Sequence, residues 1–112
     1  MVFRVQYYNR RLLSAIEKWP VGILADHARL VQLLMRHGPD LGMPHSRALG
    51  GGLFELRPHG PEGIGRSMYC YAEGRRIVIL HAFIKKTPKA QPRALALATK
   101  RMEEVKHGNI QI

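Results

Sequence analysis

The sequence predicts an α+β fold: an N-terminal strand, a helical hairpin, a three- to four-stranded antiparallel sheet and a C-terminal helix. Three observations predict it. Residues 53–57, 64–73 and 75–86 read as consecutive strands joined by turn-forming residues. Residues 10–37 carry apolar side chains at helical spacing, broken once by Pro20. A second helical pattern follows the sheet, so strands and helices are segregated rather than alternating along the chain.

In order, residues 2–8 are β-branched and aromatic, with Phe3, Val5 and Tyr7 alternating against Arg4 and Gln6, which predicts a strand in the same sheet. Asn9 can cap a helix over 10–19 whose inner face is Leu12, Ile16 and Trp19. Pro20 ends that helix and can open the next, which runs from 21 to 37 and presents Leu24, Ala28, Val31 and Met35, widened by Ile23, Leu30 and Leu34. Gly38-Pro39 stops it. Residues 40–52 form a loop with a short extended piece at 46–49, and Gly50-Gly51-Gly52 is a turn. No lysine and no helix signal follow the three glycines, so they are not a phosphate-binding loop.

Along 53–57, Phe54 and Leu56 face one side and Glu55 and Arg57 the other. The prolines and glycines of 58–63 make a turn. The next strand places Arg66, Met68 and Cys70 on one face and Ser67, Tyr69 and Tyr71 on the other. Gly74 closes a hairpin into a strand that is almost wholly apolar from Ile77 to Ile84, as a strand covered on both faces should be. After Lys86 and a short link, a helix opens at Pro92 with Leu95, Ala98, Met102 and Val105 on its inner face and Gly108 at its end; residues 109–112 should fray.

At 112 residues the chain reads as one domain, 1–112, with enough core to fold without a staple. Its single cysteine, Cys70, excludes an internal disulfide and reads as a small buried hydrophobe. Lys and Arg number 18 against 8 acidic residues, a net charge of +10 spread from Arg4 to Lys106. Such a surface calls for a polyanionic partner. No secretory or membrane-spanning segment is visible, so a cytoplasmic protein is expected. None of the six histidines stands in an H-x-H or H-x-x-x-H pair, so no metal site is expected.

The candidate chemistry gathers on the strands. Arg57, Arg66, Lys85 and Lys86 form a cationic group suited to phosphate, guanidinium by paired hydrogen bonds and ammonium as a point charge. Lys85 and Lys86 point to opposite faces, so one joins the arginines unless the strand has ended. The same residues also read as ordinary sheet-edge charges. His81 interrupts the apolar strand on the face of Phe83 and Lys85, either as a core histidine or as an imidazole beside the cations. Glu55 is an ion-pair partner of Arg57 or a base, a role those cations weaken. Tyr69 and Tyr71 read as packing residues.

Leu53 to Arg57 (LFELR), Arg66 with Tyr69 (R-S-M-Y) and His81 to Pro88 (HAFIKKTP), followed by an alanine-rich helix, resemble the RelE/HigB-type toxins of bacterial toxin–antitoxin systems. In particular they resemble the phage-derived branch of that RelE/ParE superfamily, and the order of elements extends the likeness over nearly the whole chain. The resemblance implies a RelE-like fold and an mRNA endonuclease acting at the 70S ribosome. It implies attack by the ribose 2′-hydroxyl on the adjacent phosphate, without metal or other cofactor. It assigns Arg57, Arg66, Lys85, Lys86 and His81 to catalysis, and Arg47, Arg75, Arg76, Lys89 and Arg93 to the wider RNA-binding surface. It also implies a cognate DNA-binding antitoxin and no membrane partner. The sequence departs from many relatives where Leu53 and Glu55 replace strand lysines, and where Thr87, Pro88 and Lys89 follow the basic pair. A non-cleaving relative of ParE type, acting on a target such as DNA gyrase, and an inactive phage-derived remnant are the alternatives.

Overall fold

A computed structural model describes residues 2–108; the fraying expected at 109–112 lies outside them. Strand β1 (Arg4–Tyr7) leads into helices α1 (Arg10–Glu17) and α2 (Val21–His37). Strands β2 (Ser46–Gly50), β3 (Leu53–Leu56), β4 (His59–Gly60), β5 (Gly63–Ala72) and β6 (Arg76–Lys85) follow, then helix α3 (Pro92–Lys106). The α+β class holds, in a sheet of six strands ordered β1-β6-β5-β3-β2, with β4 pairing beside β5.

The sheet is wider than the three or four strands expected, because β4 pairs with β5 inside the segment read as a turn and β2 is added at one edge. The extended piece before the glycines is a full strand: Arg47 pairs with Glu55 and Ala48 with Phe54 across a hairpin. Its turn runs through Gly50, Gly51 and Gly52 at φ of 97°, 64° and 89°, a left-handed path open mainly to residues without a Cβ. At the other edge β1 pairs with β6 in parallel, Val5 beside Ile77 and Tyr7 beside Ile79, because the intervening chain crosses over through both helices before returning.

Helices cover both faces. Leu12 and Ile16 of α1 and Leu30 and Leu34 of α2 pack on Leu56, Tyr69, Ile77 and Ile79. On the opposite face Ala94, Ala98, Met102 and Val105 of α3 pack on Leu53, Met68, Cys70, Val78 and Leu80. Asn9 caps α1 as expected, its Oδ1 accepting the Leu12 N–H at 2.8 Å. Pro20 occupies the cap position of α2, and the Glu62 carboxylate accepts the Gly22 N–H at 2.9 Å in place of a side-chain cap.

Two helical stripes are rotated from the expectation. In α2 the buried row is Ile23, His27, Leu30 and Leu34, while Met35 is 43% exposed. Its centre is a histidine, whose ring meets Trp19 edge-on at 5.3 Å between centroids. In α3, Ala94 replaces Leu95 in the row, because the small alanines let the helix approach the sheet, and Leu95 is left 42% exposed.

A bulge in β6 sets the direction of its far half. Met68 pairs with His81 and Tyr69 with Ile79, leaving Leu80 as an extra residue. Before the bulge, Ile77 and Ile79 face α1 and α2 while Val78 and Leu80 face α3; beyond it, Ala82 faces the hairpin and Phe83 faces α3. His81, Phe83 and Lys85 therefore share the α3 face, as the alternation read from the sequence requires of the three together.

Candidate functional site

The site is built around Glu55. Its backbone lies between Arg47 on β2 and Met68 on β5, so its side chain stands on the α3 face of the sheet between two strands. One carboxylate oxygen, Oε1, accepts from Arg57 Nη1 at 2.8 Å and lies 3.4 Å from Arg47 Nη2 and 3.7 Å from Arg66 Nε. Glu55 and Arg66 are each 7% exposed. Arg57 continues the line of β3 beyond Leu56, its own N–H held by His45 O at 2.9 Å, and this brings it level with Arg66 on β5.

Three guanidiniums share one carboxylate, and Lys85 arrives from β6 to line the same pocket as Arg47, Glu55 and Arg66. Four cations against one anion leave a local charge of +3. Arg66 bears the cost most directly. Burial lowers its pKa from the ordinary arginine value, and the positive charge of Arg57 lowers it further. Its Nη1 donates to Gly65 O at 2.8 Å, but its Nε is buried with no hydrogen-bond partner. A buried donor in this state is costly unless something supplies an acceptor, and a phosphate oxygen would be a charged one.

The pocket measures about 230 Å³. Phe83, Met68 and Leu49 give it an apolar wall, and Gln91, Pro92 and Leu95 of the link and first turn of α3 close it from above. It is therefore cationic on one side and apolar on the other.

The structure brings Arg57, Arg66 and Lys85 together and adds Arg47 from the edge strand. Lys86 lies beyond the end of β6 and is exposed. His81 faces α3 but lies two residues along the strand from Phe83, its ring 5.8 Å from the phenyl ring. Burial lowers its pKa, and the charge of Arg101 adds to this. Arg101 donates to Leu80 O at 2.8 Å and lies 4.4 Å above the Tyr8 ring, so His81 belongs to this second group rather than to the Glu55 cluster.

Arg75 and Arg76 stand at the opposite end of β6, where Arg75 covers Phe3 at 5.4 Å and Arg76 donates to Glu73 O at 2.9 Å. A ten-residue strand separates them from Lys85 by roughly 30 Å. Lys89 and Arg93 are exposed beside the pocket, in the link to α3 and in its first turn. Tyr69 is fully buried, donating to Pro39 O at 2.6 Å, and Tyr71 is 41% exposed with its ring edge on Phe3. Among the described residues no group of three His, Cys, Asp or Glu side chains could hold a metal ion.

Sequence reasoning paired Glu55 with Arg57 but missed that it also gathers Arg47 and Arg66. The signal was there: three glycines between 46–49 and 53–57 make a hairpin, and a hairpin puts Arg47 opposite Glu55. The exposure of Leu95 at the pocket rim had no such signal.

Residues 14–103 match the family described as "Phage derived protein Gp49-like (DUF891)". No curated protein matches the sequence. Among solved structures, a mutant of the E. coli toxin RelE in the free state superposes with a TM-score of 0.65 over 91% of this chain and 99% of that one, at 9% identity. The stretches that carried the resemblance, 53–57, 66–69 and 81–88, all fall inside the matched span. The chain belongs to the phage-derived Gp49-like family, and its fold is that of RelE.

Proposed function

We propose that the chain is the toxin of a toxin–antitoxin pair and cleaves mRNA on the ribosome. The observation that carries this reading is Arg66: a buried guanidinium whose Nε lies 3.7 Å from Glu55 but makes no hydrogen bond, in a cluster of net charge +3 that opens into a pocket. Such a cluster is arranged to receive a phosphate.

The reaction that suits it is transfer within the RNA chain. The 2′-hydroxyl gives up its proton to water as its oxygen bonds to the adjacent phosphorus, the bond from phosphorus to the 5′-oxygen of the next nucleotide breaks, and that oxygen takes a proton. The products are a 2′,3′-cyclic phosphate and a 5′-hydroxyl end. Negative charge builds on the phosphoryl oxygens in the transition state, and fixed cations in a partly dry site stabilise it. In this reading Arg66 and Arg57 contact those oxygens, and Lys85, which lines the same pocket as Arg66, neutralises or protonates the leaving oxygen. Glu55, engaged by three guanidiniums, serves as their anchor rather than as the base. Arg47, Lys89 and Arg93 extend the cationic rim toward flanking phosphates, and the remaining basic surface, Arg75 and Arg76 included, meets ribosomal RNA. The partner that silences the toxin is an antitoxin that covers this cationic face.

The test is to add purified chain to programmed ribosomes and to naked mRNA, then map the 5′ ends of fragments. Cuts that keep the reading frame and appear only with ribosomes support the proposal. Folded protein that makes no cuts in either sample would sink it and turn attention to gyrase.

A further inference from the structure

We propose that the pocket between β5, β6 and the first turn of α3 is a pre-formed seat for one nucleotide unit, phosphate on Arg66 and Lys85, base against Phe83 and Leu95. The inference rests on reading the cluster as a phosphate site, and it names what lies beside that phosphate.

Three features of the pocket argue for this occupant. The cationic side holds Arg66, 7% exposed and short of one acceptor, with Lys85 and Arg47. The second feature is α3, a 15-residue helix whose first turn lines the pocket. Its cap position, Gln91, makes no side-chain capping bond, its first turn holds no acidic residue, and Pro92 begins it. The N–H groups of Arg93 and Ala94 have no acceptor within the helix, so that end carries partial positive charge. Helix end and buried guanidinium favour the same sign of ligand.

The third feature rules out an anion alone. Opposite the cations stand the half-buried ring of Phe83 and the side chain of Leu95, which is 42% exposed although large and apolar. Inorganic phosphate would leave that wall facing water. A planar base bonded to the phosphate through its sugar would cover it, and aromatic faces accept any base. The carboxylate of Glu55 lies in the same pocket, but its Oε1 is already engaged by Arg47, Arg57 and Arg66, so the lining remains net cationic.

The experiment is calorimetric titration of the isolated protein, without ribosomes, with adenosine 3′-monophosphate and with inorganic phosphate at equal ionic strength. The mononucleotide should bind about tenfold more tightly, the advantage a single base–aromatic contact confers. Phe83→Ala should erase that advantage and leave phosphate affinity unchanged, while Arg66→Ala should weaken both ligands. Leu95→Gln, at an exposed position and without a new charge, should weaken the mononucleotide and leave phosphate affinity unchanged even if Phe83→Ala proves misfolded by circular dichroism. Equal affinities for the two ligands, no binding of either, or nucleotide binding indifferent to Leu95→Gln would overturn the proposal. Cleavage on ribosomes without mononucleotide binding removes this pocket and keeps the nuclease. Mononucleotide binding without cleavage keeps the pocket and removes the nuclease.

Discussion

Glu55 Oε1 accepts a hydrogen bond from Arg57 Nη1 at 2.8 Å while lying 3.7 Å from Arg66 Nε, so a single oxygen sets the spacing of two arginines on neighbouring strands. Replacing Glu55 by Gln keeps the shape and removes the charge, leaving Arg66 buried among like charges. The variant should lose about 3 kcal/mol of stability, the usual scale for breaking a buried ion pair. Urea unfolding measures this, and sulfate or phosphate in the buffer should restore part of it. Equal midpoints for the two proteins with and without anion would show that Glu55 does not organise the cluster.

Arg66 itself carries the chemistry proposed. Arg66→Ala should reduce ribosome-dependent cleavage by about a hundredfold or more, on the scale of removing one preorganised donor from a transition-state site. Growth inhibition should vanish while the circular dichroism spectrum persists. A fully toxic Arg66→Ala protein would refute the assignment.

His27 makes stability depend on pH. Burial pushes its pKa down to about 4 from 6.5. The folded protein thus keeps the ring neutral where the unfolded chain is protonated, and stability falls as pH drops from 6.5 toward 4. The full loss is about 3 kcal/mol, and it is absent above the unfolded pKa. Unfolding free energies measured from pH 7.5 down to 5 should decline in the wild type and flatten in His27→Leu. A slope unchanged by that substitution would place the pH dependence elsewhere.

The hairpin arginines should matter for docking and not for the chemical step, because they stand at the far end of β6. Arg75→Ala with Arg76→Ala should leave the single-turnover rate on saturated ribosomes unchanged. The salt dependence of ribosome affinity should become shallower, by about one unit of slope for each RNA phosphate the double variant no longer neutralises. A tenfold drop in the saturated rate would contradict this division.

α3 offers a contrast between neighbours on one helix. Met102→Ala, at 5% exposure against the sheet, should cost about 2–4 kcal/mol. Leu95→Ala, at 42% exposure, should fall within about 1 kcal/mol of the wild type. Thermal melts of the two variants report directly which row faces the core.

β5 and β6 were legible in the sequence because alternation and continuous apolar runs are local signals, and so were Asn9 and Gly38 as helix ends. The class, the element order and the meeting of Arg57, Arg66 and Lys85 follow from such signals. What escaped them was decided by tertiary contact. His27 looks polar, and only its burial against Trp19 rotates the face of α2. Ala94 is chosen over the larger Leu95 by how closely α3 can approach the sheet. β1 joins in parallel through a crossover that no local pattern announces. His81 has the right face and the wrong neighbours, because Arg101 comes to it from a helix twenty residues away in sequence.

The extra residue in β6 has the character of a frame shift. Counted straight from Ile77, Lys85 would project with Ile79 into the greasy space beneath α1 and α2. Leu80 resets the count by one, and the charged end of the strand turns to meet Arg66. Whether Lys85 joins the arginines at all is thus a matter of parity. Deleting Leu80, whose side chain is wholly apolar, would send Lys85 to the other side of the sheet and take it out of the proposed site.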